Sequence, residues 1–163
     1  MMLAALLFVP SLAQGGLMLV DEFYYHMRRG LPRWERISHP LDTLATLACL
    51  VFALTMDFDE TNLIAYIILC AFSSILITKD EFVHKNLCDE MEMWIHAVLF
   101  VVHPAVLLAA GFFWSLRGPV SGGLISPESA TTALAIQAFV LASFFVYQVI
   151  FWGIYARTHD HQQ

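Results

Sequence analysis

Charged residues divide the chain into five long uncharged stretches, residues 1–20, 43–56, 61–78, 93–116 and 129–156. A helix needs about 20 largely apolar residues to span a bilayer. The pattern predicts an all-α integral membrane protein, a single transmembrane domain over 1–163. Its bundle has about five helices, near residues 2–26, 39–57, 61–84, 90–116 and 129–156. The second stretch offers only about 21 Å of helix against a hydrocarbon core of about 30 Å, so its helix must extend into the flanking segment that holds His39 and Asp42.

Composition agrees with that reading. At 59% hydrophobic and 13% charged, with a mean hydropathy of +0.68, the chain is not a soluble domain. No nucleic-acid signature is present, and the expected partner is the lipid bilayer. The distribution of basic residues orients the helices. Arg28, Arg29, Arg33, Arg36, Lys79, Lys85 and Arg157 fall between helices on one side, and Arg117 alone falls on the other. Positive residues favour the cytoplasm, which puts the N-terminus outside, the C-terminus inside, and the protein in a bacterial inner membrane. The first stretch lacks a basic leader, so it reads as a retained helix and not as a cleaved signal peptide. Cys49 and Cys70 fall inside apolar stretches, and three cysteines do not make a disulfide framework.

The connections on the outer side, "DFDE" and "RGPVSGGLISPE", carry no evident chemistry. Those on the inner side do. Residues 21–42 read DEFYYHMRRGLPRWERISHPLD, and residues 80–96 read DEFVHKNLCDEMEMWIH. Asp21-Glu22-Phe23 matches Asp80-Glu81-Phe82, His26 matches His84, Glu35 matches Glu92 and His39 matches His96. This predicts a parallel two-helix internal repeat, helices 1–2 and 3–4, with four helix ends meeting about a pseudo-two-fold along the membrane normal.

Helical spacing decides which side chains share a face. Glu22 and His26, Glu35 and His39, Asp80 and His84, and Glu92 and His96 are each i,i+4, while Glu81 and His84, and His39 and Asp42, are i,i+3. His103 continues the stripe of Glu92 and His96. The candidate ligand set is therefore Glu22, His26, His39, Asp42, Asp80, Glu81, His84, Glu92, His96 and His103. Imidazole with carboxylate suits a divalent transition metal, and paired Glu/Asp-plus-His groups on neighbouring helices suit two iron ions, with Mn, Zn or Cu as alternatives. Each residue alone is equally well a helix-end charge or a hydrogen-bonded membrane histidine; the repetition favours the metal. Tyr24, Tyr25 and Glu81 are the candidate catalytic groups. His159 and His161 read as a solvated tail, Cys88 as a free thiol, and Trp34 and Trp94 as interfacial aromatics. Pro40 suits a helix start, and Pro104 a kink beside His103.

The spacing of Glu22-x-x-x-His26 with His39, and of Asp80-x-x-x-His84 with His96, resembles the Asp-x-x-x-His…His metal motif in the membrane C subunit of particulate methane and ammonia monooxygenases. Glu stands for Asp in the first copy. The resemblance implies copper and oxygen chemistry. The ligand logic is also similar to that of membrane di-iron oxidases and hydroxylases, whose Glu-x-x-His pattern appears as Glu81-Phe82-Val83-His84.

The expected function is thus a membrane metalloprotein with a di-metal site near the cytoplasmic face, an oxidoreductase or oxygenase acting on a lipid-like or other apolar substrate. A zinc-dependent membrane hydrolase and a metal transport or storage protein are the alternatives.

Overall fold

The computed structural model describes residues 2–80, 88–118 and 125–155, with side chains described for 8–79 of the first segment. The described residues form five long helices and no strands. α1 (Met2–Val20) runs on without a break through a π-helical turn, Asp21–His26, and a last turn, Met27–Arg29. It stops at Gly30, whose φ of 76° is one that side-chain-bearing residues rarely adopt. α2 is Glu35–Thr55, and α3 is Glu60–Leu76 followed by a 3-10 turn, Ile77–Asp80. α4 is Glu90–Ser115, and α5 is Pro127–Ile150, which ends in a second π-helical segment, Phe151–Tyr155. Four helical segments, Glu35–Thr55, Glu60–Lys79, Glu90–Ser115 and Pro127–Tyr155, are long and apolar enough to cross a membrane.

Three helix starts are capped as their sequences specify. The side chains of Asp59, Asp89 and Ser126 accept hydrogen bonds from the backbone N–H groups of Asn62, Glu92 and Ser129. α2 begins earlier than residue 39. Pro40 does not open it but sits inside it, and the helix reaches back to Glu35, with Arg36 donating from Nε to the Leu31 carbonyl at 2.7 Å. α4 continues through Pro104, and His103 beside it is buried.

The bundle buries polar side chains together with apolar ones and also turns large apolar side chains outward. Leu108 and Phe139 are 75% and 74% exposed, as expected where lipid and not water is the solvent. α2 packs along α5, α3 and α4, while α1 lies along α4. At the end away from the two charged phrases, Cys49, Ala53, Tyr66, Ala110, Trp114 and Ala130 belong to a close-packed cluster. Small residues let the helix backbones approach, as is usual between membrane helices. Gly111 is the tightest case. A Cβ there would meet Tyr66 Cε1 at 2.9 Å, and Tyr66 is held by donating its hydroxyl to the Leu107 carbonyl at 2.7 Å. Trp114 Nε1 donates to the Met56 carbonyl at 2.8 Å, and Arg117 donates to the Ala53 carbonyl. The last two bonds tie off the end of α2. The opposite half holds the buried acids and histidines.

Candidate metal centre

The polar centre is assembled by the end of α1, the starts of α2 and α4, and the end of α5. In an α-helix, Glu22 and His26 share a face and Asp21 does not. The π-helical turn, with i→i+5 bonding, brings the residue five back onto the same face. Asp21, Glu22 and His26 are consequently all buried. His26 Nε2 lies 3.3 Å from Asp21 Oδ2 and 3.7 Å from Glu92 Oε1, and its Nδ1 lies 3.6 Å from Glu22 Oε2. On α4, His96 Nε2 lies 3.0 Å from Asp21 Oδ1. The His39 ring stands 4.8 Å from that of His26, centroid to centroid.

Two groups have the geometry to hold an ion. Asp21, His26, Glu92 and His96 each offer an atom within 4.8 Å of the others, and so do Glu22, His26 and His39. His26 belongs to both, one ring nitrogen facing each way. It is fully buried, and neither nitrogen makes a hydrogen bond among the described residues. Ligands about 2.1 Å from a metal and roughly 90–110° apart stand about 3.0–3.5 Å from one another, close to the separations around His26.

The acid–base balance points the same way. Asp21, Glu22, Glu35 and Glu92 are all buried, and the guanidinium of Arg29 reaches two of them. Its Nη2 donates to Glu35 Oε2 at 3.2 Å and to Glu92 Oε1 at 2.9 Å. Burial lowers the pKa of Arg29, but the two carboxylates outweigh it and leave it above its ordinary value, so the cation is permanent. Buried carboxylates in excess of their counter-ions are costly unless another positive charge joins them. On the α5 side, Glu22 Oε1 accepts from the Tyr147 hydroxyl at 3.0 Å and from Trp152 Nε1 at 2.5 Å, leaving Oε2 toward His26. Tyr147 and Trp152 are also five apart, and the second π segment begins between them.

The structure thus brings together Glu22, His26, His39, Glu92 and His96. Asp42 is drawn to Lys79, whose Nζ lies 2.6 Å from its carboxylate. His103 lies deeper: Gln14 Nε2 is 3.2 Å from its Nδ1, and Ser73 Oγ is 3.0 Å from its Nε2. The side chain of Asp80, together with Glu81, His84, His159 and His161, lies outside the described residues. Tyr24 faces outward with the Arg28 guanidinium 3.8 Å from its ring centroid, and Tyr25 packs edge-on to Tyr24. Burial, and next to it Glu92, raise the Cys88 thiol above its ordinary pKa. Asp21, Glu35, Arg29, Tyr147 and Trp152 join the centre without having stood among the ligand candidates. Comparison with family models, with curated proteins and with solved structures finds no match to this chain.

Proposed function

We propose that this protein is a membrane metalloenzyme, an oxidoreductase holding one or two divalent transition-metal ions, foremost iron, for work on a lipid-like or other apolar substrate. The observation that carries the reading is His26: a fully buried imidazole with no hydrogen bond at either nitrogen among the described residues, ringed by carboxylates at ligand-to-ligand separations. A purely protonic network would align a donor on each acceptor, whereas a shared ion needs only that the atoms converge. Asp21, His26, Glu92 and His96 would hold one ion, and Glu22 and His39 would offer a second position on the far side of the His26 ring. Bound there, iron or copper would supply electron transfer and oxygen chemistry. The chain's own residues bind and orient it: Arg29 fixes Glu92 through the same Oε1 that faces His26, while Tyr147 and Trp152 fix Glu22 through Oε1 and leave its Oε2 toward His26.

Glu35-x-x-x-His39 and Glu92-x-x-x-His96 both open a helix and both reach the centre, which supports the parallel repeat as part of this reading. The excess of basic residues on the same side supports a cytoplasmic location; a reporter fused after Gln163 should then read as internal, and an external reading would reverse the orientation. Purified protein should carry between one and two metal ions per chain by elemental analysis, iron foremost. Zinc alone would turn the reading to hydrolysis. A folded preparation that takes up no Fe, Mn, Zn or Cu would end it.

A further inference from the structure

Beneath the metal centre, toward the middle of the bundle, lies a cavity of about 110 Å³. Asp21, His39 and His96 line one part of it, and Gln14 and His103 another, the two levels seven residues apart on both α1 and α4. That spacing makes the chamber about 10 Å deep.

Its side walls are less polar than their composition. Thr43 Oγ1 donates to Gln148 Oε1 at 2.7 Å, and Thr46 Oγ1 donates to the Asp42 carbonyl at 2.9 Å. Both hydroxyls are spent within the protein, and the walls otherwise include Met18, Leu99 and Phe100. The inner end differs. Gln14 is 9% exposed, and while its Nε2 faces His103, its Oε1 is buried without a hydrogen-bond partner among the described residues. A buried acceptor left unpaired costs about 1–3 kcal/mol. It marks the place where a ligand's donor belongs. A cavity of about 150 Å³ accepts a benzene ring, so this smaller one limits an occupant to about single-ring size.

We infer that this cavity binds one small hydroxylated hydrocarbon of about single-ring size, whose hydroxyl donates to Gln14 Oε1 and whose opposite edge lies beneath Asp21, His39 and His96. As a substrate chamber it rests on the metalloenzyme reading; as a binding site it stands by itself.

The test uses the full chain in detergent micelles, with phenol and benzene as probes and a Thr46→Trp variant, which fills the cavity, as the blank. Phenol should bind the wild type more tightly than benzene does, and neither should bind Thr46→Trp above partition into the micelle. Gln14→Leu should weaken phenol about tenfold, the loss of one hydrogen bond, and leave benzene unchanged or tighter. Ser73→Ala removes the other contact of His103 without touching the Gln14 acceptor and should leave phenol binding as in the wild type. Equal binding of the two probes, loss of phenol in Ser73→Ala to the same extent as in Gln14→Leu, or no binding beyond the blank overturns the inference. Phenol binding in protein that takes up no metal would sink the metalloenzyme reading alone, and full metal loading without phenol binding would sink the chamber alone.

Discussion

His26→Ala strips metal from both sides of the centre. The ring is common to the two ligand groups and is fully buried, so nothing else on α1 can replace either nitrogen. Loss of an outer partner of a metal ligand typically costs 10–100-fold in affinity, and loss of a shared ligand should cost more than about 100-fold. Metal-to-protein ratio after dialysis against a weak chelator is the measurement, with helical content by circular dichroism to confirm that the variant folds. His103→Ala serves as the contrast, because its ring nitrogens are engaged by Gln14 and Ser73 and it lies outside both groups. Its metal content should match the wild type. Wild-type occupancy in His26→Ala would show that the cluster is held together by protons alone.

Arg29→Met produces the largest loss of stability. The guanidinium is 22% exposed, while the carboxylates of Glu35 and Glu92 that it binds are 0% and 3% exposed. Methionine keeps most of the stem and removes the charge, leaving two buried acids without it. Breaking a buried pair in this way costs about 3–5 kcal/mol, and the partial exposure of Arg29 places the expected value near the lower bound. Thermal melts in detergent should show the midpoint fall, and addition of a divalent metal should recover part of it, because the ion supplies positive charge to Glu92. An unchanged midpoint would mean that Glu35 and Glu92 are neutral in the folded protein.

How much of this was legible beforehand follows from what each residue depends on. Apolar stretches and charge placement announced the helices, because spanning a bilayer demands length and composition that any sequence must display. The i,i+4 rule found Glu22 with His26, Glu35 with His39 and Glu92 with His96, because these pairs depend on nothing beyond the helix they sit on. Asp21 escaped as a ligand because it faces inward only if the turn is π-helical. Tyr147 and Trp152 escaped because their partner Glu22 lies more than a hundred residues away in sequence. Asp42 looked like one of the ligands by spacing from His39, yet a lysine from the end of α3 lies beside it. His103 does continue the stripe of His96, and both line the cavity, but the polar groups waiting for it come from α1 and α3.

The two π-helical segments, Asp21–His26 and Phe151–Tyr155, make the donor set sensitive to chain length in a way that no single side chain is. Each accommodates one residue more per turn than an α-helix would. Deleting Phe23 would let the turn relax to α geometry and leave the residues on either side in register. Asp21 and His26 would then stand i,i+4 and still share a face, whereas one residue inserted between them would put them six apart, a spacing that neither an α nor a π turn brings to one face. In a surface loop a change of one residue is commonly absorbed. Here an insertion would exchange a face turned to the centre for one turned to lipid, so the π turn has room to lose a residue and none to gain one.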